Sequence, residues 1–367
     1  MQNTLVHHEG AASLEAARTK VKLAGSIIKI GLDIHARLYV AVAQYDHLLP
    51  KPARRLAPWE FLPWVEGLLS AGHTVHVVYE ACGFGFNLYR ELEALGAHCY
   101  VIAPSKLDER ATRVKTDPRD ATTLCQRLSR YLEGNTRELA VIRVPTEEEE
   151  QARHVSRQRE QLVRHRHKME AQGRSLLLNH ALPAPAHWWK NQTWSRLAKQ
   201  LPGWICLRLE VYRPVLLALE QQITTLSAQL EATAPANVPV GLGKLTTAVV
   251  TREICCWERF SNRRAISSYT GLCPGEYSSG SKRVPGSVTK RGNPRLRAAL
   301  VECAWRMVRF QPNYPPVNKR LFILAKGARA TGAQRKKAIV AVARQLAVDL
   351  WRLHTGRVSA KQLGFTC

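Results

Sequence analysis

A β-branched run that ends on a carboxylate, Ile27-Ile28-Lys29-Ile30-Gly31-Leu32-Asp33, constrains this chain more than any other segment. Such a run reads as a central strand, because branched apolar side chains fit a pleated, packed surface. A carboxylate on a central strand costs on the order of several kcal/mol in desolvation unless a cation or a buried Arg or Lys meets it. Gly31 lies two positions back on the same face and leaves room for a second backbone to approach. Leu38-Tyr39-Val40-Ala41-Val42-Ala43-Gln44 supplies the next strand after a short turn, so a hairpin opens the domain. Trp59 to Ser70 then has helical spacing, His73 to Glu80 reads as a strand, Gly85 to Leu95 as a helix and His98 to Ile102 as a strand. That order predicts a mixed sheet covered by helices.

The 367-residue chain sets 54 Lys+Arg against 29 Asp+Glu, a formal net charge of +25. Its field attracts phosphate backbones and releases their counterions, so a nucleic acid is the expected partner, with a membrane surface the competing one. The length suffices for two or three domains, and 45% hydrophobic content permits a core. No apolar run is long enough to span a bilayer, and Met1 to Lys20 carries acids and histidines in place of a secretion signal, so the expectation is a cytoplasmic protein with no membrane partner. The nine cysteines are scattered, without a C-x-x-C pair, and are expected as reduced thiols. His165 and His167 lie in a basic run and read as a solvated or nucleic-acid-facing surface.

After Pro145 the character changes. Thr146-Glu147-Glu148-Glu149-Glu150 opens a long polar helix that continues through Arg157, Arg164, Arg166 and Lys168 to about Leu178. Its apolar stripe is thin, so it needs a partner helix or a nucleic acid. A second long helix is expected from about Arg213 to Leu230, with Pro214 in its first turn and Leu216, Leu217, Leu219, Ile223, Leu226 and Leu230 near coiled-coil spacing. The pair predicts a hairpin or a dimerisation stalk, and intramolecular packing is the simpler account. Pro239 to Ala248, with glycines two apart before a helix, resembles a helix-hairpin-helix turn whose amides grip a phosphate. From Tyr277 to the end, 19 Lys+Arg face two acids, Glu302 and Asp349, which supplies +17 of the +25. The nucleic-acid contacts expected there are Lys282, Arg283, Lys290, Arg291, Arg295, Arg297, Arg335, Lys336 and Lys337, joining Arg157, Arg164, Arg166 and Lys168.

Against this basic background four acids stand out. Glu80 ends an apolar strand before the small-residue turn Ala81-Cys82-Gly83-Phe84-Gly85, where it also suits charge compensation of the following helix. Asp117-Pro118-Arg119-Asp120 opens a helix to about Tyr131, with Asp117 as N-cap and Pro118 at the first helical position. Their spacing puts both carboxylates on one face near the positive helix end, although alone it describes an ordinary helix start. Taken with Asp33 and Glu80 they form a set suited to Mg²⁺, expected as two ions, because hard cations take several oxygen ligands and paired metals stabilise attacking and leaving oxygens.

Gly31-Leu32-Asp33-Ile34-His35, Tyr79-Glu80-Ala81-Cys82-Gly83 and Lys115-Thr116-Asp117-Pro118-Arg119-Asp120-Ala121 resemble the D…E…D-x-x-D motifs of the RuvC-like domain in IS110-family transposases. Tyr269 to Gly280 and Thr289 to Ala299 resemble that family's second domain, and Glu276-Tyr277-Ser278-Ser279-Gly280 is most similar to the IS1111 subgroup. The resemblance implies an α/β RNase H/RuvC-like domain, a long-helix (coiled-coil) stalk and a mainly α-helical C-terminal domain. Expected bounds are an N-terminal extension over 1–24, the catalytic domain over 25–145, the stalk over 146–235 and the basic transposase domain over 236–367. It further implies a DNA recombinase on the bacterial nucleoid that excises and inserts its own element, a homo-oligomer (dimer or tetramer), and a bridge-type guide RNA that pairs with donor and target DNA. By motif the catalytic serine is Ser279, with Ser278 and Ser281 as neighbours. A serine attacking a phosphodiester needs a positioned base and charge neutralisation; Mg²⁺ held by the four acids would polarise the phosphate, and Lys282 and Arg283 would stabilise the developing charge. Without the resemblance, Tyr277 to Ser281 reads as a flexible loop. Two other readings stand beside it: a RuvC-like Holliday-junction nuclease using metal-activated water, and a non-catalytic nucleic-acid-binding protein whose acids cap helices. The Trp-rich stretch Leu182 to Cys206 falls outside what the resemblance explains.

Overall fold

A five-stranded sheet organises the first of two compact units, Met1–Val144 and Pro145–Cys367, in the computed structural model. The structure describes residues 25–104, 116–235, 238–279 and 282–366; the expected N-terminal extension over 1–24 lies outside them.

The first unit runs β1 (Ile27–Ile34), β2 (Tyr39–Tyr45), β3 (Arg54–Leu56), α1 (Pro58–Ser70), β4 (Thr74–Glu80), α2 (Asn87–Ala94), β5 (His98–Ile102) and α3 (Asp117–Leu132). Sheet order is β3-β2-β1-β4-β5, with β1 antiparallel to β2 and parallel to β4, so the expected mixed sheet with an opening hairpin is observed. Alternation along β1 sorts its side chains. Ile28, Ile30 and Leu32 are fully buried in a core shared with Phe61 and Val65 of α1. On the opposite face α3 crosses so closely at Gly31 that a Cβ there would collide with the Ala121 carbonyl and the Cys125 amide. Lys29, on that same face, is buried and donates from Nζ to the Asp46 carbonyl (2.7 Å) and Ser129 Oγ (3.0 Å).

One local expectation is corrected at α3. The N-cap is Thr116, in extended conformation, whose carbonyl accepts from the Arg119 and Asp120 amides. Asp117 and Pro118 therefore occupy the first two helical positions, and the Asp117 carboxylate is not spent on capping.

The second unit begins with α4 (Glu147–Asn179), closed at its start by the Thr146–Glu149 capping box. It continues through α5 (Asn191–Leu197), α6 (Gly203–Ala232), α7 (Lys244–Ile254), α8 (Arg263–Thr270), β6 (Pro274–Ser279), β7 (Lys282–Val288), α9 (Pro294–Phe310), α10 (Pro315–Asn318), α11 (Leu321–Leu324) and α12 (Gly332–His354). α4 and α6 lie antiparallel, since Arg159 bonds Ser227 while Arg166 pairs with Glu220. α6 starts at Gly203 rather than near Arg213, and Pro214 is interior rather than in the first turn. Leu209 and Leu216, both fully buried, flank that proline, and their burial against α4 and the tryptophans offsets the backbone bond it removes. The Trp-rich stretch is core: Trp188 and Trp189 are fully buried, and Trp188 Nε1 donates to the Glu170 carbonyl (3.0 Å) over Gly173, where a Cβ would strike its ring. Tyr277 to Ser279 is strand rather than loop, because β6 pairs antiparallel with β7 and sets Ser279 opposite Lys282; Gly280 and Ser281 lie outside the described residues. α7, α8, α9 and α12 enclose the remaining core around Ile266, Leu296, Met307 and Leu346.

Candidate metal centre

Parallel pairing of β1 and β4 brings their C-terminal ends to one edge of the sheet, where a doubly covered sheet tends to place its ligands. Asp33 leaves the end of β1, Glu80 the end of β4, and the first turn of α3 contributes Asp117 and Asp120. All four line one cavity of about 160 Å³ together with His35. The structure thus brings together every acid singled out from the sequence.

His35 is the residue that sequence reasoning missed as a site member. Its Nε2 lies 3.3 Å from Asp33 Oδ2 and 3.6 Å from Asp117 Oδ2. One ligand atom from each of Asp33, His35 and Asp117 falls within 4.8 Å of the others. The signal was available, since His35 sits two positions beyond Asp33 and strand alternation puts it on the same side. Burial raises the Asp33 carboxyl above its ordinary value, and the Asp117 and Asp120 charges add to that rise while His35 opposes it. Among the described residues neither Asp33 nor Asp117 has an Arg or Lys ion pair; both turn to His35. A set of mutually repelling carboxylates in one small cavity fits a hard divalent cation, whose charge removes the repulsion and whose coordination is filled by oxygen.

Comparison with known proteins agrees with this arrangement. The DEDD transposase family of IS110 type matches residues 30–181, and the family described as Transposase IS116/IS110/IS902 matches residues 239–316. The chain is 34% identical over 306 residues to y4rJ of Sinorhizobium fredii, a protein named as a transposase, covering 75% of this chain and 76% of that one. The chain belongs to the IS110 family of transposases. It is also similar to the transposase for insertion sequence element IS1111A of Coxiella burnetii (27% identity; 76% and 77% of the two chains). A third relative is the transposase for insertion sequence element IS1328 of Yersinia enterocolitica (24% identity; 76% and 83%).

The first family match in this IS110-family transposase spans all four acids, and the second contains β6, β7 and all of α9. Ser279 closes β6, with Lys282 and Arg283 opening β7; their side chains lie outside the described residues. The basic residues singled out earlier divide by environment. Arg157 makes two bonds to Glu253, Nε to Oε1 and Nη2 to Oε2, each 3.0 Å, and that carboxylate is fully shielded from solvent. Arg166 pairs with Glu220, and Glu160 receives both Arg164 (2.7 Å) and Arg295 (2.6 Å). Arg297 donates to the Thr270 and Lys290 carbonyls, and Arg335 to that of Ala328. Lys168, Lys290, Arg291, Lys336 and Lys337 are exposed.

Proposed function

We propose that this chain is the DNA recombinase of an insertion sequence, cutting and rejoining donor and target strands with Mg²⁺ held by Asp33, Glu80, Asp117 and Asp120 and with Ser279 as nucleophile. The observation that carries the reading is the single cavity shared by the four acids at the sheet edge. When bound, Mg²⁺ supplies Lewis-acid stabilisation of charge on the phosphoryl oxygens. The carboxylates would hold it, and His35, between Asp33 and Asp117, orients both. Attack by Ser279 Oγ forms a phosphoserine ester and releases one DNA hydroxyl, with the serine proton passing out to a base. Attack on that ester by a strand hydroxyl reverses the step, so the phosphodiester is restored without a high-energy cofactor.

The partners follow from the same reading. Exposed Lys168, Lys290, Arg291, Lys336 and Lys337 suit phosphate backbones rather than base edges, which supports a bridge-type guide RNA that leaves sequence reading to base pairing. Trp204, Leu207, Val211 and Val215 are 51%, 67%, 69% and 46% exposed at three- and four-residue spacing on α6, an apolar stripe that supports a homo-oligomer through a coiled-coil stalk over 146–235. The stalk would join the RuvC-like domain over 25–145 to the basic transposase domain over 236–367. Such a protein acts on nucleoid DNA in the cytoplasm, and no helix among the described residues is long and apolar enough to cross a membrane.

Trapping of protein–DNA adducts in Mg²⁺ tests the reading. The wild-type chain should yield an adduct on Ser279, and Ser279→Ala should bind RNA and DNA yet form none, while Ser278→Ala and Ser281→Ala stay active. A wild-type chain that cuts DNA without any adduct would instead be a RuvC-like junction nuclease using metal-activated water.

A further inference from the structure

A second cavity, of about 740 Å³, opens in the C-terminal unit. Five arginines line it: Arg263 and Arg264 from α8, Arg344 and Arg352 from α12, and Arg357 from the turn that follows. Among the described residues no carboxylate lines it. Arg263 and Arg264 stand about 80 residues before Arg344, Arg352 and Arg357, so only the packing of α8 against α12 assembles the five.

The arginines are poorly neutralised from within. Asp349, buried on α12, accepts from Tyr314 Oη (2.6 Å) and Gln345 Nε2 (3.0 Å) and reaches only Arg352 Nη1, at 3.4 Å. Arg357 is held over the Trp351 ring, 4.1 Å from its centroid, which fixes its guanidinium while leaving its charge unpaired. Among the described residues, the side chains of Arg263, Arg264 and Arg344 have no ion-pair or hydrogen-bond partner. The α8 amides are not the anion site, because the Asn262 side chain already accepts from those of Arg264 and Ala265.

Guanidinium forks match phosphate oxygens in geometry, and a concave wall of one sign concentrates its field on whatever enters. Trp351, the one aromatic residue among the described lining, is buried, so the cavity has no platform for stacking a base. Nor does the charge stop at its rim. A neighbouring cavity of about 420 Å³ shares Arg344, Gln345 and Arg352 and adds Lys319 and Arg320, against the single buried carboxylate of Asp349, which Tyr314 and Gln345 already hold. Continuity across α12 suits successive phosphates of a strand better than one small anion.

We propose that this cavity is a sequence-independent phosphodiester site, across which a nucleic-acid strand runs with its phosphates on Arg263, Arg264, Arg344, Arg352 and Arg357. The inference rests on the nucleic-acid reading of the chain given above and adds a built cavity whose five arginines are not among the contacts expected from the sequence. The test uses the full-length chain, the triple variant Arg263→Gln/Arg264→Gln/Arg344→Gln and the corresponding triple Lys variant, with random-sequence single-stranded RNA and random-sequence duplex DNA as probes. Binding is measured across a salt series, and folding is checked by thermal unfolding. Each phosphate that no longer meets a guanidinium should flatten the slope of log K against log salt by about 0.9 for duplex DNA or about 0.7 for a single strand. The Gln variant should therefore lose about two to three units of slope on one probe, and at least about tenfold in affinity, regardless of sequence. The Lys variant should keep the slope, and the probe affected identifies the strand. Arg344→Gln alone should lower the slope by the share of one phosphate, which guards against a triple variant that misfolds.

An unchanged slope on both probes in a folded Gln variant, while the wild type binds, would overturn the site and leave the recombinase reading standing. Loss of inorganic phosphate binding with an unchanged nucleic-acid slope would assign the cavity to a small anion and overturn it too. A wild-type chain that binds neither probe would remove the nucleic-acid reading itself.

Discussion

Desolvated carboxylates occur in both units, yet their surroundings drive them in opposite directions. In the first unit burial lifts the Asp33 carboxyl, and two neighbouring aspartates add to the rise. In the second unit burial also acts on Glu160, Glu220 and Glu253, but arginine hydrogen bonds outweigh it and hold all three below the usual range. Glu170 is lowered likewise, by the His187 amide (2.8 Å) and its ring. The contrast separates two uses of one residue type. Glu160, Glu220 and Glu253 act as counter-ions for arginines the fold has already placed, whereas Asp33 and Asp117 concentrate negative charge that, among the described residues, only His35 meets.

The largest effects should come from breaking the acidic side of this contrast. Asp33→Ala or Asp117→Ala is expected to lower recombination at least about 100-fold, since losing a ligand costs more than losing a group that orients one. Millimolar Mg²⁺ should raise the melting temperature of the wild type but not of either variant, whereas Glu220→Gln should melt earlier and keep its Mg²⁺ response. A wild type indifferent to Mg²⁺ would end the metal reading. Next in size is Gly31→Ala. Its Cβ would meet the backbone of α3 at Ala121 and Cys125, so no side-chain repacking can relieve it. Urea unfolding should show a loss of about 2–4 kcal/mol, and activity should fall with it because α3 carries Asp117 and Asp120. Full stability in this variant would show that the crossing of α3 is looser than described.

On the arginine side, Arg157→Ala leaves the shielded Glu253 carboxylate with Asn293 (2.8 Å) as its side-chain hydrogen-bond partner and the more distant charge of Arg295. Stability should drop by about 2–3 kcal/mol, less than the ~3–5 kcal/mol of a fully buried pair because Arg157 keeps some solvent contact. Adding Glu253→Gln should restore part of that loss. Nucleic-acid binding that weakens in Arg157→Ala without any loss of stability would return this arginine to the binding surface.

These residues also show what a sequence can reveal. β1, β2, β4 and β5 were legible because alternation and turn residues are local signals, and so was the start of α4 at Thr146, while the three-residue β3 (Arg54–Leu56) was too short to announce itself. Arg157 and Glu253 are separated by 96 positions, so nothing near either one announced the pair. Pro214 hid the true start of α6, since the local rule for proline gave way to the burial of Leu209 and Leu216 on either side of it. The acids were legible as a set because carboxylates are scarce in so basic a chain. The five-arginine cavity was not, because its members are ordinary arginines until α8 and α12 pack.

Acid should sharpen the comparison with the smallest effect of all, because the two units carry opposite signs. Glu253 is held below its ordinary 4.5 in the folded chain. It therefore contributes stability above that value, which is lost as pH falls through the lowered folded-state value. Asp33 is held above its ordinary 3.8, so its contribution is fully present below that value and is lost as pH rises through the raised one. Hydrogen exchange can follow the units separately, through amides of β1 and β4 in one and of α7 and α9 in the other. As pH is lowered, protection in α7 should fall, and Glu253→Gln should flatten that fall. Asp46, which the Ile27 amide holds low (2.8 Å), opposes Asp33 within the first unit, so the Asp33 share must be read as the difference between wild type and Asp33→Asn. Mg²⁺ makes the decisive arm of the experiment. A bound cation favours the ionised carboxylate, so saturating Mg²⁺ should cancel or reverse the Asp33 difference while leaving the α7 response untouched. If Mg²⁺ changed neither, Asp33 would be a buried structural carboxylate like those of the second unit, and the contrast between the two would fail at the residue on which it depends most.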